Sequence, residues 1–359
     1  MRNIIGFVQG SYPAFRLLHV FCTNNLYDVE GVADMSISNN AMQTANASAH
    51  LRVSRNSAFQ NHWKKIKKSK FLYLMFLPVL AYFIIFKFWP MAGLVIAFKK
   101  FNPIDGMWGS PWVGMRYFTQ FFGSVYFWRL LRNTIVINMY GLVFVFTAPI
   151  ILALLLNEVE NRFFKRVVQT ISYLPHFIST VIIVSMAVQF MSPSNGIINN
   201  VIAALGGERI YFLSKPQLFW GIYTSIDIWR SIGWGSIIYM AAITNIDQQM
   251  YEAAIIDGAG RWKQLWHITL PCLLPTVMVL LILRIGHFMQ VGFEPILLMY
   301  NTNTYETADV IETYVYRQGL QSANYSYATA VGMFQSIIGF VLVVLTNKVS
   351  KKFADQGLW

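Results

Sequence analysis

From about residue 70 onward, long apolar runs alternate with short polar connections. Each run comes close to the roughly 20 residues that a helix needs to cross the hydrocarbon core of a bilayer. The pattern predicts six transmembrane helices, at about 71–96, 133–156, 168–190, 218–244, 273–298 and 325–347. Helices are expected because a segment in lipid must satisfy its backbone hydrogen bonds within itself. The short alternating strands of a transmembrane barrel do not occur. The first run contains Pro78 and Pro90, and the third has Pro175 near its start. The predicted fold class is therefore all-α, a polytopic membrane protein.

The flanking polar residues add an orientation. WKKIKKSK places Lys64, Lys65, Lys67, Lys68 and Lys70 directly before the first run, which predicts a cytoplasmic N-terminal side. An even number of spans then puts both termini in the cytoplasm, together with the connections 157–167 and 245–272. Residues 1–62 are rich in Ser, Asn and Ala without a sustained period; they are expected to be a disordered extension or a start placed too far upstream. The transmembrane domain is expected over 63–359.

Composition supports this class: 55% of residues are hydrophobic and 12% charged, against roughly 25% charged in soluble domains. Mean hydropathy is +0.45. The net charge of +12 sits largely beside the spans, so it reads as topology and lipid-headgroup contact rather than nucleic-acid binding. The two cysteines, Cys22 and Cys272, provide no disulfide framework and no metal-ligand set.

The connection 245–272 is long and ordered in composition. Met250, Tyr251, Ala254 and Ile255 share one helical face, and Trp262, Leu265, Trp266 and Thr269 repeat the pattern. Asp257-Gly258 supplies a turn between two short amphipathic helices. Pro271 and Pro275 mark entry into the fifth span. Periodicity leaves two uses open for this pair: packing on the chain's own spans, or docking into a soluble partner.

The stretch YEAAIIDGAGRWKQLWHITLP then adds a resemblance. Glu252, Ala253 and Ala254, followed by Asp257, Gly258 and Ala259 and later by Ile268, Leu270 and Pro271, stand at the spacing EAA, three residues, Gly, nine residues, I-x-L-P. This resembles the cytoplasmic loop of permease subunits of binding-protein-dependent ABC importers. GSPWVG (109–114), APIILALLLNEV (148–159), FKRVVQTISYLPHFIS (164–179) and DQGLW (355–359) look like the LplB-type branch, linked with oligosaccharides and polysaccharide fragments. The resemblance implies a maltose-permease-like transmembrane domain in a bacterial plasma membrane. It further implies a second permease subunit, two ATPase subunits that receive the loop as a coupling helix, and an extracellular solute-binding lipoprotein. Glu252 would meet a basic residue of the ATPase, and Gly258 would let the helix pair fold back.

This chain carries no G-x-x-x-x-G-K-[ST] loop, so ATP and Mg are expected on the ATPase subunits. No catalytic constellation is present, and the expected role is transport, not enzymatic. Charged groups inside spans point to a pathway. Asp227 and Arg230 stand in the fourth span, and Arg284, His287 and Glu294 in the fifth. Asp227 and Arg230, three residues apart, serve either the substrate or each other. Trp229 suits either sugar stacking or packing. Two other classes compete: an ion-coupled secondary sugar transporter, which calls for internal repeats, and a membrane enzyme of glycan assembly, which calls for catalytic clusters in large loops.

Overall fold

A computed structural model of the chain describes residues 70–354. The segment 1–62, the lysines at 64–68 and the terminal 355–359 lie outside these residues. Among the described residues every named element is helical, and the one β feature is an isolated bridge between Lys99 and Trp112.

Four helices are long and apolar enough to cross a membrane: Lys70–Phe98, Phe127–Glu158, Arg261–Gly286 and Tyr325–Lys351. Two predicted spans differ from the expectation of single helices. In the third, Arg162–Phe177 and Thr180–Phe190 meet at a bend of 107°, and would make a fifth crossing if taken together. Pro175 sits in the 3-10 turn Leu174–Phe177, and Ser179 then caps a new helix by accepting from Ile182 N–H. In the fifth, the helix ends at Gly286 and a separate short helix, Phe293–Met299, follows. The fourth is an unbroken helix, Phe219–Thr244, of 26 residues, so roughly 39 Å long. It falls outside the apolar set, and Asp227 and Arg230 lie within it. Six crossings remain compatible with this arrangement.

Prolines shape these helices in a regular way. Pro90, Pro149 and Pro271 each lie shortly after a π-helical segment, at Ile84–Phe88, Gly141–Val145 and Leu265–Thr269. A proline ring clashes with the carbonyl four residues earlier and leaves it without a donor. Here that residue is Phe86, Val145 or His267, each inside the widened turn. The chain therefore passes the proline without breaking. As a result Arg261–Gly286 is one helix, and Pro271 lies inside it instead of marking its start.

Helix 219–244 packs against 147–158, 162–173 and 270–286. Gly233 is pressed against the Ser172 backbone so closely that any Cβ would collide. Without a hydrophobic drive between helices in lipid, such small-residue contacts supply the packing. Two buried clusters complete the framework. One joins Ile137, Val184, Phe219, Val291 and Ile296. The other joins Phe121, Leu130, Ile311, Tyr314, Tyr327 and Val331.

Between these clusters lies Asp309, with no exposed surface. Arg317 grips both of its carboxylate oxygens, at 2.9 and 2.7 Å, Arg129 reaches Oδ2 at 3.1 Å, and Thr313 donates to Oδ1 at 3.0 Å. Asn133 donates to the Asp309 carbonyl at 2.9 Å. Burial alone would lower the Arg317 pKa, but the hydrogen bond and charge of Asp309 outweigh it and raise it. Replacing Asp309 with Asn leaves two guanidinium groups without their counter-ion. The expected cost is about 3–5 kcal/mol, seen as a large drop in the thermal midpoint of the detergent-purified protein. Arg129→Gln, on a side chain still 29% exposed, should cost distinctly less.

Candidate functional site: an exposed helix pair and a charged cavity

The connection after helix 219–244 forms the first candidate site. Asp247 caps helix Gln248–Ile256 by accepting from Gln249 N–H at 3.0 Å. At the other end Ala259 N–H reaches the Ala254 carbonyl at 2.8 Å, and Gly258 N–H reaches Ile255 at 3.0 Å. This is the Schellman pattern of helix termination, in which the residue after the cap is left-handed. Gly258 has φ 74°, and nothing lies within 4 Å of a Cβ placed on it. Glycine is therefore required here by backbone conformation, and space is not the reason. Asp257 occupies the cap position itself.

The expected apolar faces do not turn inward as units. Tyr251 does, bonding Thr269 Oγ1 at 2.9 Å, and Ile268 and Thr269 are buried. Ile255, Ile256, Trp262 and Trp266 are all exposed, Ile256 by 87%. Glu252 and Ala253 are exposed too, while Ala254, Ala259 and Leu270 are half-buried and Pro271 is exposed. Arg261 pairs with Glu160 across to the 157–161 connection. Both side chains are largely exposed, so this pair contributes little. The result is a capped helix pair whose largest apolar side chains find no cover within this chain.

The second candidate site is a cavity of about 460 Å³. Asp227, Arg230, Arg284 and Glu294 all line it, although they come from three elements. Arg230 lies 3.8 Å from Asp227 and donates to Thr180 Oγ1 at 3.1 Å. Tyr223 donates to the Val291 carbonyl at 2.6 Å, fixing the unwound segment between Gly286 and Phe293. Gln335 donates to the Met289 carbonyl and reaches Glu312 Oε1 at 3.5 Å. Burial pushes the Glu312 carboxyl above the usual range, against the lowering effect of the Val291 backbone and Gln335.

The other two expected pathway residues lie elsewhere. Trp229 lines a separate, mainly apolar cleft with Phe190 and Phe212. His287 is exposed, with Nδ1 3.0 Å from Gln290 Oε1. Asn138, Thr180, Tyr223 and Gln290 also line the charged cavity and were not singled out from the sequence. Their signal is weak there, because single polar residues in apolar runs are common. The helix breaks that bring Thr180 and Gln290 to the cavity are marked only by short groups, Pro175, His176 and Ser179 in one and Gly286, His287, Gln290 and Gly292 in the other.

The family model described as "Binding-protein-dependent transport system inner membrane component" matches residues 145–355. The chain is 48% identical over 294 residues to Protein LplB of Bacillus subtilis, covering 82% of this chain and 92% of that protein. It is 47% identical over 295 residues to the polygalacturonan/rhamnogalacturonan transport system permease protein YteP of Bacillus subtilis, with the same coverage. Among solved structures, it is similar to a chain of a bacterial ABC transporter involved in the import of the acidic polysaccharide alginate. That likeness has a TM-score of 0.77 at 46% identity and covers 82% of this chain and 99% of the other. The exposed helix pair, the broken spans and these matches lead to one conclusion: the chain belongs to the inner membrane components of binding-protein-dependent transport systems, as a permease subunit of an ABC importer and a transport component rather than an enzyme.

Proposed function

We propose that this permease imports oligosaccharides or polysaccharide fragments, delivered outside by a solute-binding lipoprotein and driven inside by ATP hydrolysis on two separate subunits. ATP and Mg would sit on those ATPase subunits. A second, similar permease would complete the pathway, and both termini would face the cytoplasm of a bacterial cell. The related proteins handling polygalacturonan and alginate support the substrate class. A solved alginate transporter in complex with a pentasaccharide-bound periplasmic protein, 45% identical to this chain, supports the delivery partner.

One observation carries the coupling role: the Schellman-capped helix pair exposes Glu252 beside Ile255, Ile256, Trp262 and Trp266. An exposed aromatic and aliphatic patch carrying the acids Glu252 and Asp257 is suited to a complementary pocket in a soluble partner. In this reading Glu252, Ala253 and Ala254 enter the ATPase cleft. Asp257, Gly258 and Ala259 hold the turn, and Ile268, Leu270 and Pro271 join it to the spanning helix. The charged cavity would be part of the substrate path.

The reconstituted complex tests this. Glu252→Lys should weaken association with the ATPase by roughly ten- to hundred-fold, the size of a lost charge-assisted hydrogen bond. Sugar-stimulated hydrolysis should collapse with it, while membrane insertion is retained. Normal stimulation and transport in this variant would reduce the loop to surface packing. Position 258 gives a sharper comparison. Gly258→Asn should keep much of the coupling, since Asn tolerates the left-handed backbone. Gly258→Val should lose it, at a backbone cost of about 1–2 kcal/mol. Equal stimulated hydrolysis in these two variants would argue against the turn geometry as the cause.

A further inference from the structure

The charges that line the cavity are not equivalent. Asp227 has Arg230 at 3.8 Å, and Arg230 is also held by Thr180. Glu294 is exposed in the first turn of helix 293–299, where water can hydrate it. Arg284 is different. The ion pairs among the described residues are Arg129–Asp309, Arg230–Asp227, Arg261–Glu160 and Arg317–Asp309, and none includes Arg284. Its guanidinium is half-buried on the cavity wall, in the last turn of helix 270–286.

The wall opposite makes room for it. Gly141 lines the same cavity, and a Cβ on it would lie 2.7 Å from Arg284 Nη2. Any larger residue at 141 would push the guanidinium aside. Asp227 on the same cavity acts on Arg284 only from beyond ion-pair distance, and no hydrogen bond among the described residues holds its guanidinium. A cation kept inside a spanning segment without a direct carboxylate contact is costly, and such residues by default serve a ligand.

We propose that Arg284 reads a carboxylate on the transported sugar, so that the pathway favours uronic-acid oligosaccharides over neutral ones of equal length. The assignment rests on the sugar-import reading above. The guanidinium fork matches the planar carboxylate with two parallel hydrogen bonds, which a sugar hydroxyl cannot reproduce. Asn138, Thr180 and Gln290, on the same walls, suit the hydroxyls common to both sugar classes. A site built around a charged hydrogen bond rejects the analogue that lacks the partner, because its own group is then left desolvated and unpaired. Arg284 thus sets specificity, while Gly141 positions it.

The test uses the complete complex of both permeases and ATPases in nanodiscs, without the solute-binding protein, whose own selectivity would mask the cavity. Equilibrium binding of trigalacturonate and galactotriose, equal in length and differing in carboxylates, is compared. Wild type should prefer the acid, and the preference should shrink as salt rises. Arg284→Gln should weaken trigalacturonate binding roughly ten- to hundred-fold and leave galactotriose nearly unchanged. Arg284→Lys, a point charge without the fork, should fall between, and Gly141→Ala should weaken the acid selectively. Equal loss of both sugars in Arg284→Gln, or an unaltered preference, would overturn the assignment. Wild-type binding of galactotriose alone would overturn it while leaving sugar import intact. Binding of neither sugar by a complex that hydrolyses ATP would overturn both.

Discussion

A single buried carboxylate organises one end of this permease's helix bundle. Asp309 belongs to no helix, yet it ties helix 127–140, through Arg129 and Asn133, to the 311–321 segment, through Thr313 and Arg317. Removing one charge from a buried cluster costs far more than the cluster contributes over an apolar substitute. The arrangement is therefore better understood as specificity than as stability: it leaves one way for these segments to meet. The consequences run inward. Helix 311–316 carries Glu312, whose Oε1 accepts from Gln335 of helix 325–354, and Gln335 holds the Met289 carbonyl. The unwound cavity wall at 287–292 is thus held by Gln335 and by Tyr223.

Irregular backbone at membrane depth is tolerated where protein groups satisfy it. Both breaks in this chain meet that condition. At 287–292 Tyr223 and Gln335 donate to the Val291 and Met289 carbonyls. At 174–179 the turn is closed by its own 3-10 bonds and by the Ser179 cap. Elsewhere the same problem is solved inside the helix, by π-helical turns that absorb Pro90, Pro149 and Pro271. Breaks and widened turns are two answers to one requirement, and only the breaks admit loop residues to the cavity.

How far the sequence revealed this depends on where the information is stored. The helix pair at 248–270 was legible because its apolar spacing, the Asp257-Gly258 turn and the spacing from Glu252 to Pro271 are all local, whereas the Asp247 cap was not singled out. The all-helical class was legible because apolar runs are long. The breaks in the third and fifth spans were not, although Pro175, His176 and Ser179 stand at one and Gly286, His287, Gln290 and Gly292 at the other: each group is short and flanked by apolar residues, so each run still reads as one span. Asp227, Arg230, Arg284 and Glu294 stood out as charges in apolar runs and converge on one cavity, while His287, marked by the same logic, and Trp229, marked as an aromatic for sugar stacking, do not line it. Asp309 could not be read at all. Its partner Arg129 lies 180 residues away, and it stood in a connection where a lone acid is expected to be solvated.

The most consequential departure concerns Pro271. If it began a new helix, the exposed helix pair would be joined to the membrane by a hinge. Instead Arg261–Gly286 is continuous, roughly 39 Å from end to end. One end carries Trp262 and Trp266 on the exposed face; the other carries Arg284 on the cavity wall. Under the proposed coupling role, a push from an ATPase subunit at the first end moves the second without an intervening joint. Coupling in this reading requires two arrangements of the rod whose balance both sites bias. The π-helical turn at 265–269 lies on this rod near its driven end, with Ile268 and Thr269 buried and Tyr251 bonded to Thr269. That bond ties the preceding helix to the rod.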